Sequence, residues 1–199
     1  MSETPVAEVE EVGVTRKRPV VRFVAGAVGA LLFAFLVLLA FANPGGTESA
    51  QSPLLGNPAP AVKSTLIDGG TFDLSRRKGS WVVFNFFNST CVPCRQEHPV
   101  LVRYADAQKG SDDPVEVYTI VNDDTDEAVK AFFASNGGDW GKVRDDDGAI
   151  SVAFGVAKVP ETWVIDPDGY VRLRILGALT DGFLTAQVDE LKRQYAGQS

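Results

Sequence analysis

The stretch from Trp81 to Pro99, WVVFNFFNSTCVPCRQEHP, carries a dense apolar run followed by two cysteines three positions apart. Small polar residues border the run Trp81–Phe87, and a short apolar stretch of this kind is typical of a strand buried on both faces. Apolar residues at helical spacing continue to about Gln108, which predicts a helix beginning at Cys91. The two cysteines therefore lie where a buried strand is followed by a helix.

The rest of the C-terminal region alternates between strand and helix patterns. The predicted elements are a strand at 115–121, a helix with Asp124 as its N-cap and Asn136-Gly137 as its end, a short helix from Asp145–Asp147 through Phe154, two strands at Glu161–Ile165 and Val171–Leu176 joined by a turn, and a last helix capped by Thr180 or Asp181. Residues 59–74 surround a turn sequence and favour a hairpin. This order predicts an α/β sandwich with a mixed central sheet.

Charge and composition exclude several classes of protein. The net charge is −7, and the four basic and four acidic side chains of residues 1–42 cancel, so the negative charge belongs to residues 43–199. An acidic domain repels phosphate backbones, which argues against nucleic-acid binding. The chain has two cysteines and one histidine, His98, which are too few for a closed zinc site. His98 is predicted to be a surface or packing residue.

The N-terminal region predicts export of the domain. The stretch from Phe23 to Ala42 has no charged residue and is long enough to cross a bilayer core. A basic cluster precedes this stretch. The positive-inside rule then predicts a cytoplasmic tail at 1–19, one transmembrane anchor at 20–42, a flexible linker at 43–56 and an extracytoplasmic domain at 57–199. A cleavable signal peptide ending at Ala40-Phe41-Ala42 is the alternative, although the apolar stretch exceeds a usual signal core.

The position of the cysteine pair predicts redox chemistry. At a helix N-terminus the unpaired amides favour a negative charge, so Cys91 can ionise near neutral pH and act as a nucleophile. Cys94 is one turn further along and can attack a mixed disulfide on Cys91. A purely structural bridge is disfavoured, because so short a loop removes little chain entropy. The predicted redox group is thus the Cys91–Cys94 disulfide itself, with no metal and no other cofactor.

Two motifs give the chain a family resemblance. The segment Val83–Pro99, and the later segment GVAKVPETWVID at 155–166, resemble the active-site motifs of TlpA/ResA/DsbE-like membrane-anchored thiol–disulfide oxidoreductases. The resemblance covers about residues 55–195. It implies a thioredoxin-like fold with an N-terminal β-hairpin and a central insertion. It also implies reduction of disulfides such as those of the haem-binding cysteines of apocytochrome c, with electrons from a membrane thiol carrier of the CcdA/DsbD kind.

The resemblance also implies roles for individual residues. Cys91 matches the nucleophile and Cys94 the resolving cysteine. Pro160 matches a proline in cis conformation that faces the dithiol and presents the Val159 backbone to an extended substrate. Glu97 matches an acidic residue that raises the thiol pKa values and carries a proton to or from the second cysteine. For Glu161, which follows that proline, substrate recognition and electrostatic tuning remain two alternatives.

Two positions set this chain apart within thioredoxin-like proteins. Asn85 stands where cytoplasmic thioredoxins have a buried aspartate, which leaves the acidic role to Glu97. Thr90 stands where the family normally has tryptophan directly before the first cysteine. The missing indole changes the rim that contacts a partner, without affecting the dithiol chemistry.

Two other functions compete with a reductant of protein disulfides. The first is an oxidase that introduces disulfides into exported proteins, and the Val92-Pro93 dipeptide does not decide the direction, because the potential depends on how well the reduced thiolate is stabilised. The second is a copper-binding protein that uses both thiols as ligands, which is disfavoured because no methionine or further histidine lies nearby. A peroxidase is excluded, because the residues before Cys91 do not match a peroxidatic motif.

Overall fold

The computed structural model of the chain describes residues 20–41 and 48–197. These residues form two separate parts, a helix at the N-terminus and a domain that follows it. The predicted cytoplasmic tail at 1–19 and the first residues of the predicted linker lie outside the described residues.

The N-terminal part is one helix, α1, which spans Val20–Phe41. Its side chains are exposed from Phe23 to Leu38. Among residues 20–41 and 48–197, no helix combines the length and the hydropathy needed to cross a membrane. The membrane anchor therefore stays a prediction.

The domain is built around a six-stranded mixed sheet. In chain order the elements are β1 (Glu48–Ser49), β2 (Lys63–Thr65), β3 (Thr71–Asp73), a 3₁₀ helix (Leu74–Arg77), β4 (Trp81–Phe87), α2 (Val92–Gln108), β5 (Val115–Asn122), α3 (Asp126–Asn136), β6 (Gly141–Asp145), α4 (Ala149–Phe154), β7 (Glu161–Ile165), β8 (Val171–Leu176) and α5 (Phe183–Ala196). The strand order in the sheet is β1-β8-β7-β4-β5-β6. Strands β4, β5 and β6 are parallel, whereas β7 and β8 run antiparallel to their neighbours. Strands β2 and β3 form the predicted hairpin.

The central strand β4 is buried along its whole length because both faces of the sheet are covered. On one face, Val83 packs in a cluster with side chains of α2 and α5. On the other face, Phe84 and Phe86 pack with Phe154 of α4 and with side chains of the N-terminal hairpin. Burial of these large side chains supplies most of the favourable free energy of folding. It also holds the carboxyl end of β4, where the cysteines follow, in a rigid setting.

The structure corrects sequence-based predictions of three helix starts and of the linker. Helix α4 begins at Ala149, not at Asp145–Asp147, because Asp145 is the last residue of β6. Thr125, not Asp124, is the N-cap of α3, and its hydroxyl accepts a hydrogen bond from the amide of Ala128. Helix α5 begins after Gly182, whose backbone has φ +76°, and neither Thr180 nor Asp181 is its N-cap. The predicted linker is wrong from Glu48 onward, because Glu48–Ser49 pairs with β8 at the edge of the sheet.

Strand β6 was not predicted, because its sequence GKVRD is short and mostly polar. It is a strand because it pairs with β5, and because both of its buried charged side chains have polar partners. The carboxylate of Asp145 accepts hydrogen bonds from the amides of Ile150 and Ser151. Lys142 in β6 forms an ion pair with Asp68 at 2.7 Å and lies over the ring of Phe133.

Candidate active site

The two cysteines form a disulfide at the N-terminus of α2, at the carboxyl end of β4. Cys91 is the N-cap residue, Pro93 occupies the first turn, and the Cα atoms of the two cysteines are 5.3 Å apart. The amide of Cys94 donates a hydrogen bond to Sγ of Cys91 at 3.2 Å. In the reduced protein the same amide faces a thiolate on Cys91, where a hydrogen bond from a helix N-terminus stabilises the negative charge.

The two sulfur atoms differ in their exposure to solvent. Cys91 is half-buried, whereas Cys94 is fully buried in a cluster with Phe87 and Val129. A partner disulfide can therefore reach Sγ of Cys91 but not Sγ of Cys94.

The loop before β7 faces the disulfide. The peptide bond between Val159 and Pro160 is cis, and the carbonyl oxygen of Val159 lies 3.7 Å from Sγ of Cys91. In the disulfide this sulfur carries no proton, so the approach is a contact and not a hydrogen bond. The structure thus places the peptide between Val159 and Pro160 beside the Cys91–Cys94 disulfide.

The turn before Cys91 is tied to the loop that follows β5. The side chain of Asn88 donates to the backbone carbonyls of Asn122 and Asp123, and the amide of Ser89 donates to the carboxylate of Asp124. Asp124, predicted as a helix cap, instead holds this turn. Thr90 is exposed, and both its amide and its hydroxyl donate to the side chain of Asn88.

Glu97 lies on α2 one turn after Cys94 and is 1% exposed. Its Oε1 accepts a hydrogen bond from Nδ2 of Asn85 at 2.7 Å, and its Oε2 accepts one from the amide of Leu179 at 2.7 Å. Nδ2 of Asn85 also donates to the hydroxyl of Thr162 at 3.2 Å, so the carboxylate belongs to a buried network between α2 and the sheet. Among the described residues, Oδ1 of Asn85 has no hydrogen-bond partner.

This environment makes Glu97 a group that titrates near neutral pH. Burial raises its pKa to about 7, and the hydrogen bonds from Leu179 and Asn85 oppose this effect by stabilising the charged form. A carboxyl group with such a pKa can accept or release a proton under physiological conditions.

Glu161 lies on the opposite face of the sheet from Glu97. Glu161 is paired with Phe86 across β7 and β4, whereas Thr162 is paired with Asn85. Because successive side chains of a strand point to opposite faces, Glu161 points away from α2. Its carboxylate is 1% exposed, and Arg174 donates to both of its oxygens, at 2.7 and 3.2 Å. Substrate recognition by Glu161 stays a prediction.

His98 has a packing role, as predicted, although it is not a surface residue. It is 2% exposed and lies among the rings of Phe132, Phe133 and Trp140. Its Nε2 is 3.0 Å from the carbonyl oxygen of Gly137, and burial lowers the pKa of the imidazole. In the part of the chain that the structure describes, no three His, Cys, Asp or Glu side chains are grouped to hold a metal ion.

Sequence reasoning missed two partners of the buried carboxylates. Arg174 belongs to a strand in which apolar and basic residues alternate. This pattern predicts only that the arginine side chain points away from the face that carries the apolar side chains. Leu179 contributes its backbone amide, for which no side-chain pattern exists. The two contacts join residues 82 and 13 positions apart, and both depend on how the elements pack in the fold.

A buried strand that leads into a helix carrying Cys-x-x-Cys, opposite a loop with a cis proline, defines the class of thioredoxin-like thiol–disulfide oxidoreductases. A family model described as Redoxin matches residues 54–193, and the chain belongs to this family. The protein exchanges thiols and disulfides with protein substrates.

Named relatives agree with this class. The chain is 33% identical over 170 residues to the thiol:disulfide interchange protein HelX of Rhodobacter capsulatus, covering 84% of this chain and 89% of HelX. It is 31% identical over 172 residues to the thiol:disulfide interchange protein DsbE of Yersinia pestis, covering 84% and 88%. It is 28% identical over 147 residues to the thiol-disulfide oxidoreductase ResA of Bacillus subtilis, covering 74% and 79%.

Solved structures share the fold. The thioredoxin domain of a thiol-disulfide oxidoreductase from Bacteroides vulgatus matches with a TM-score of 0.61 and 24% identity, covering 70% of this chain and 99% of that one. A secreted disulfide oxidoreductase of Mycobacterium tuberculosis matches with a TM-score of 0.53 and 23% identity, covering 68% and 95%. The thioredoxin-like fold predicted from the sequence is thereby confirmed.

Proposed function

We propose that this protein is an extracytoplasmic reductant of protein disulfides, with the haem-binding cysteines of apocytochrome c as its substrate. Electrons reach its disulfide from a membrane thiol carrier of the CcdA/DsbD class. Its resemblance to TlpA/ResA/DsbE-like proteins supports this substrate, and the geometry around Glu97 supports the direction of electron transfer.

Glu97 is the observation that carries the proposal. Its carboxylate lies one turn after Cys94 in a buried site. A negative charge in a poorly solvated site opposes a second negative charge nearby, so it disfavours thiolates on the dithiol. A dithiol whose reduced form is strongly stabilised is an oxidant, and one without that stabilisation is a reductant. The buried carboxylate therefore favours the reductant over the alternative, an oxidase.

The reaction proceeds in two exchange steps. The thiolate of Cys91 attacks one sulfur of the substrate disulfide, that S–S bond breaks, and the departing sulfur leaves as a thiolate that takes up a proton. The thiolate of Cys94 then attacks Sγ of Cys91, which breaks the mixed disulfide and releases the second substrate sulfur. Two electrons pass to the substrate, and the Cys91–Cys94 disulfide forms. Glu97 accepts the proton that Cys94 loses in the second step.

The proposed location rests on the N-terminal helix. Large apolar side chains such as Phe23, Leu31 and Phe33 are exposed on α1, and the basic cluster at 16–18 precedes it. Apolar side chains around a helix that follows basic residues are suited to a lipid environment with the preceding segment in the cytoplasm. Resistance to carbonate extraction, with the domain accessible to protease in spheroplasts, would support this location. Release into the soluble fraction would contradict it.

The reduction potential of the full chain, kept in mild detergent and equilibrated against glutathione or dithiothreitol, tests the direction. A value near that of thioredoxin, about −270 mV, agrees with a reductant, whereas a value near about −120 mV means an oxidase. The substrate is tested separately with an oxidised peptide that contains the Cys-x-x-Cys-His motif. If this peptide is reduced no faster than a scrambled disulfide peptide, the assignment to apocytochrome c is wrong.

A further inference from the structure

Arg174 in β8 contacts both ends of the loop that faces the disulfide. Its Nε donates to Oε1 of Glu161 at 2.7 Å, and its Nη2 reaches Oε2 of Glu161 at 3.2 Å and the carbonyl oxygen of Gly155 at 3.3 Å. Gly155 directly precedes the loop 156–160, and Glu161 directly follows it. One guanidinium group therefore spans the loop.

The guanidinium is itself held in a fixed place. Its Nη1 donates to the carbonyl oxygen of Gln51 at 3.3 Å, and the amide of Ala50 donates to the carbonyl oxygen of Arg174 at 2.9 Å. The guanidinium carbon lies 5.1 Å from the centre of the Trp163 ring, which is fully buried. Contacts on several sides leave little freedom for the side chain, so it can fix the groups to which it is bound.

These contacts determine where the loop lies relative to the cysteines. Within the loop, Val159 places its carbonyl oxygen 3.7 Å from Sγ of Cys91. The amide of Gly177 donates to the carbonyl oxygen of Pro160 at 3.1 Å, which attaches the same end of the loop to the segment after β8. Backbone next to the nucleophile is the surface along which an extended polypeptide would align.

We propose that Arg174 is a positioning residue for exchange with polypeptide disulfides. It does not touch the reacting atoms. It keeps the loop at the spacing from Cys91 that an extended substrate needs, by bridging Gly155 and Glu161. The inference rests on the thiol–disulfide exchange described above and adds a requirement that applies to polypeptides only. A small disulfide needs access to Cys91 but no backbone alignment, so its reaction does not depend on Arg174.

Arginine suits this role because its planar group presents several donors in a fixed fork. Lysine keeps the positive charge but offers a single ammonium group, which cannot bridge a carboxylate and a separate carbonyl in the same geometry. Arg174→Lys therefore separates the positioning effect from the charge. Arg172 supplies a matched control, because it lies in the same strand and pairs with the buried carboxylate of Asp166, near the other end of the strand.

The test uses the full chain in mild detergent and two probes. Insulin, a polypeptide disulfide, is reduced under turnover with excess dithiothreitol, whose uncatalysed rate is subtracted. Glutathione disulfide, a small disulfide, is reduced in a single turnover of the reduced chain. For Arg174→Lys we expect the KM for insulin to rise on the order of tenfold. This change is smaller than the roughly hundredfold loss of rate that a 1 Å misplacement of a substrate can cause. The rate with glutathione disulfide should stay within about twofold of wild type, on the same reasoning. Arg172→Lys should leave both reactions unchanged, and Glu161→Gln should raise the KM for insulin less than Arg174→Lys does.

The outcomes separate this inference from the proposed function. If the wild-type protein reduces neither probe, the proposed function fails and the inference fails with it. If the wild type is active but Arg174→Lys has an unchanged KM for insulin, the inference alone is wrong. If Arg174→Lys slows the reactions with insulin and with glutathione disulfide equally, the effect is a general structural one and the inference is wrong. The inference is also wrong if Arg172→Lys has the same effect as Arg174→Lys.

Discussion

Two glutamates, Glu97 and Glu161, are equally buried on opposite faces of the same sheet, and their surroundings differ in kind. Each is 1% exposed. The carboxylate of Glu97 is bound by two neutral donors, the side chain of Asn85 and the amide of Leu179. The carboxylate of Glu161 is bound by a guanidinium group. Equal burial thus accompanies two different ways of satisfying a carboxylate.

The difference shows how partner charge assigns roles to buried acids. Neutral donors stabilise a carboxylate only in part, so burial dominates and the pKa of Glu97 rises to about 7. A guanidinium neutralises the charge and binds both oxygens in a fixed plane, which suits a structural clamp. The face that carries the dithiol thus holds a carboxyl group with a raised pKa, and the opposite face holds the ion pair.

The largest expected effect comes from leaving Glu161 without its partner. Arg174→Met should lower the free energy of unfolding by about 3–5 kcal/mol, because an unpaired charge in a buried site keeps its desolvation penalty. The double variant Arg174→Met with Glu161→Leu should recover most of this loss, since it removes both charges. Urea unfolding at neutral pH measures both values. If the double variant were as unstable as the single one, the ion pair would not explain the loss.

A second effect concerns the pH dependence of stability. The pKa of Glu97 is raised in the folded protein from an ordinary value of 4.5 to about 7, so its contribution to stability is present at low pH and is lost as pH rises through about 7. This shift of the pKa corresponds to a change of about 3 kcal/mol in the free energy of unfolding. Glu97→Gln removes the titration, so between pH 5 and pH 8 the wild type should lose roughly that much stability relative to the variant.

Urea unfolding of the two proteins at a series of pH values checks this difference. Glutamine fits the site when the side-chain amide of Asn85 turns over, because Nε2 of the glutamine can then donate to Oδ1 of Asn85, which has no other partner among the described residues. If the free energies of unfolding of the wild type and of Glu97→Gln changed in parallel with pH, Glu97 would not titrate between these pH values.

A smaller effect is expected when the donor to Glu97 is removed. Asn85→Leu should lower the free energy of unfolding at pH 8 by about 2 kcal/mol, the contribution of a hydrogen bond to a charged group. At pH 5 the loss should be smaller, because Glu97 is then protonated. Thr162→Val is the control, since it removes the other hydrogen bond of Asn85 and leaves the contact with Glu97 in place. If the free energy of unfolding lost in Asn85→Leu were the same at both pH values, the hydrogen bond between Asn85 and the charged form of Glu97 would not explain the loss.

The smallest effect concerns the dithiol itself. At pH 8, Glu97→Gln should raise the reduction potential by about 30 mV, equivalent to about 1.4 kcal/mol, because the reduced thiolate no longer faces a buried negative charge. Arg172→Lys should leave the potential unchanged, since Arg172 pairs with Asp166, which directly follows the end of β7 that lies away from Pro160. Equilibration against glutathione measures both. Equal shifts in the two variants would mean that the shift does not come from the carboxylate of Glu97.

Most of the redox site could be predicted because its residues are neighbours in the sequence. Cys91, Cys94 and Glu97 lie within two turns of one helix, and the preceding apolar strand predicts where that helix begins. The loop at Val159 and Pro160 is far away in the sequence and came from the family resemblance. The role of Asp124 was predicted wrongly, because an aspartate before a helix has the same local pattern whether it caps that helix or binds the amide of Ser89.

The order of the central elements, the cysteine pair at a helix start and the likeness to a family of oxidoreductases could all be predicted from the amino-acid sequence. These are local properties that depend on periodicity, turn residues and spacing. Tertiary structure alone decided that Glu97 is bound by Asn85 and Leu179, whereas Glu161 is bound by Arg174. The physical reason is that burial and partner charge depend on which strands become neighbours, and a pattern along one strand carries no information about the strand beside it.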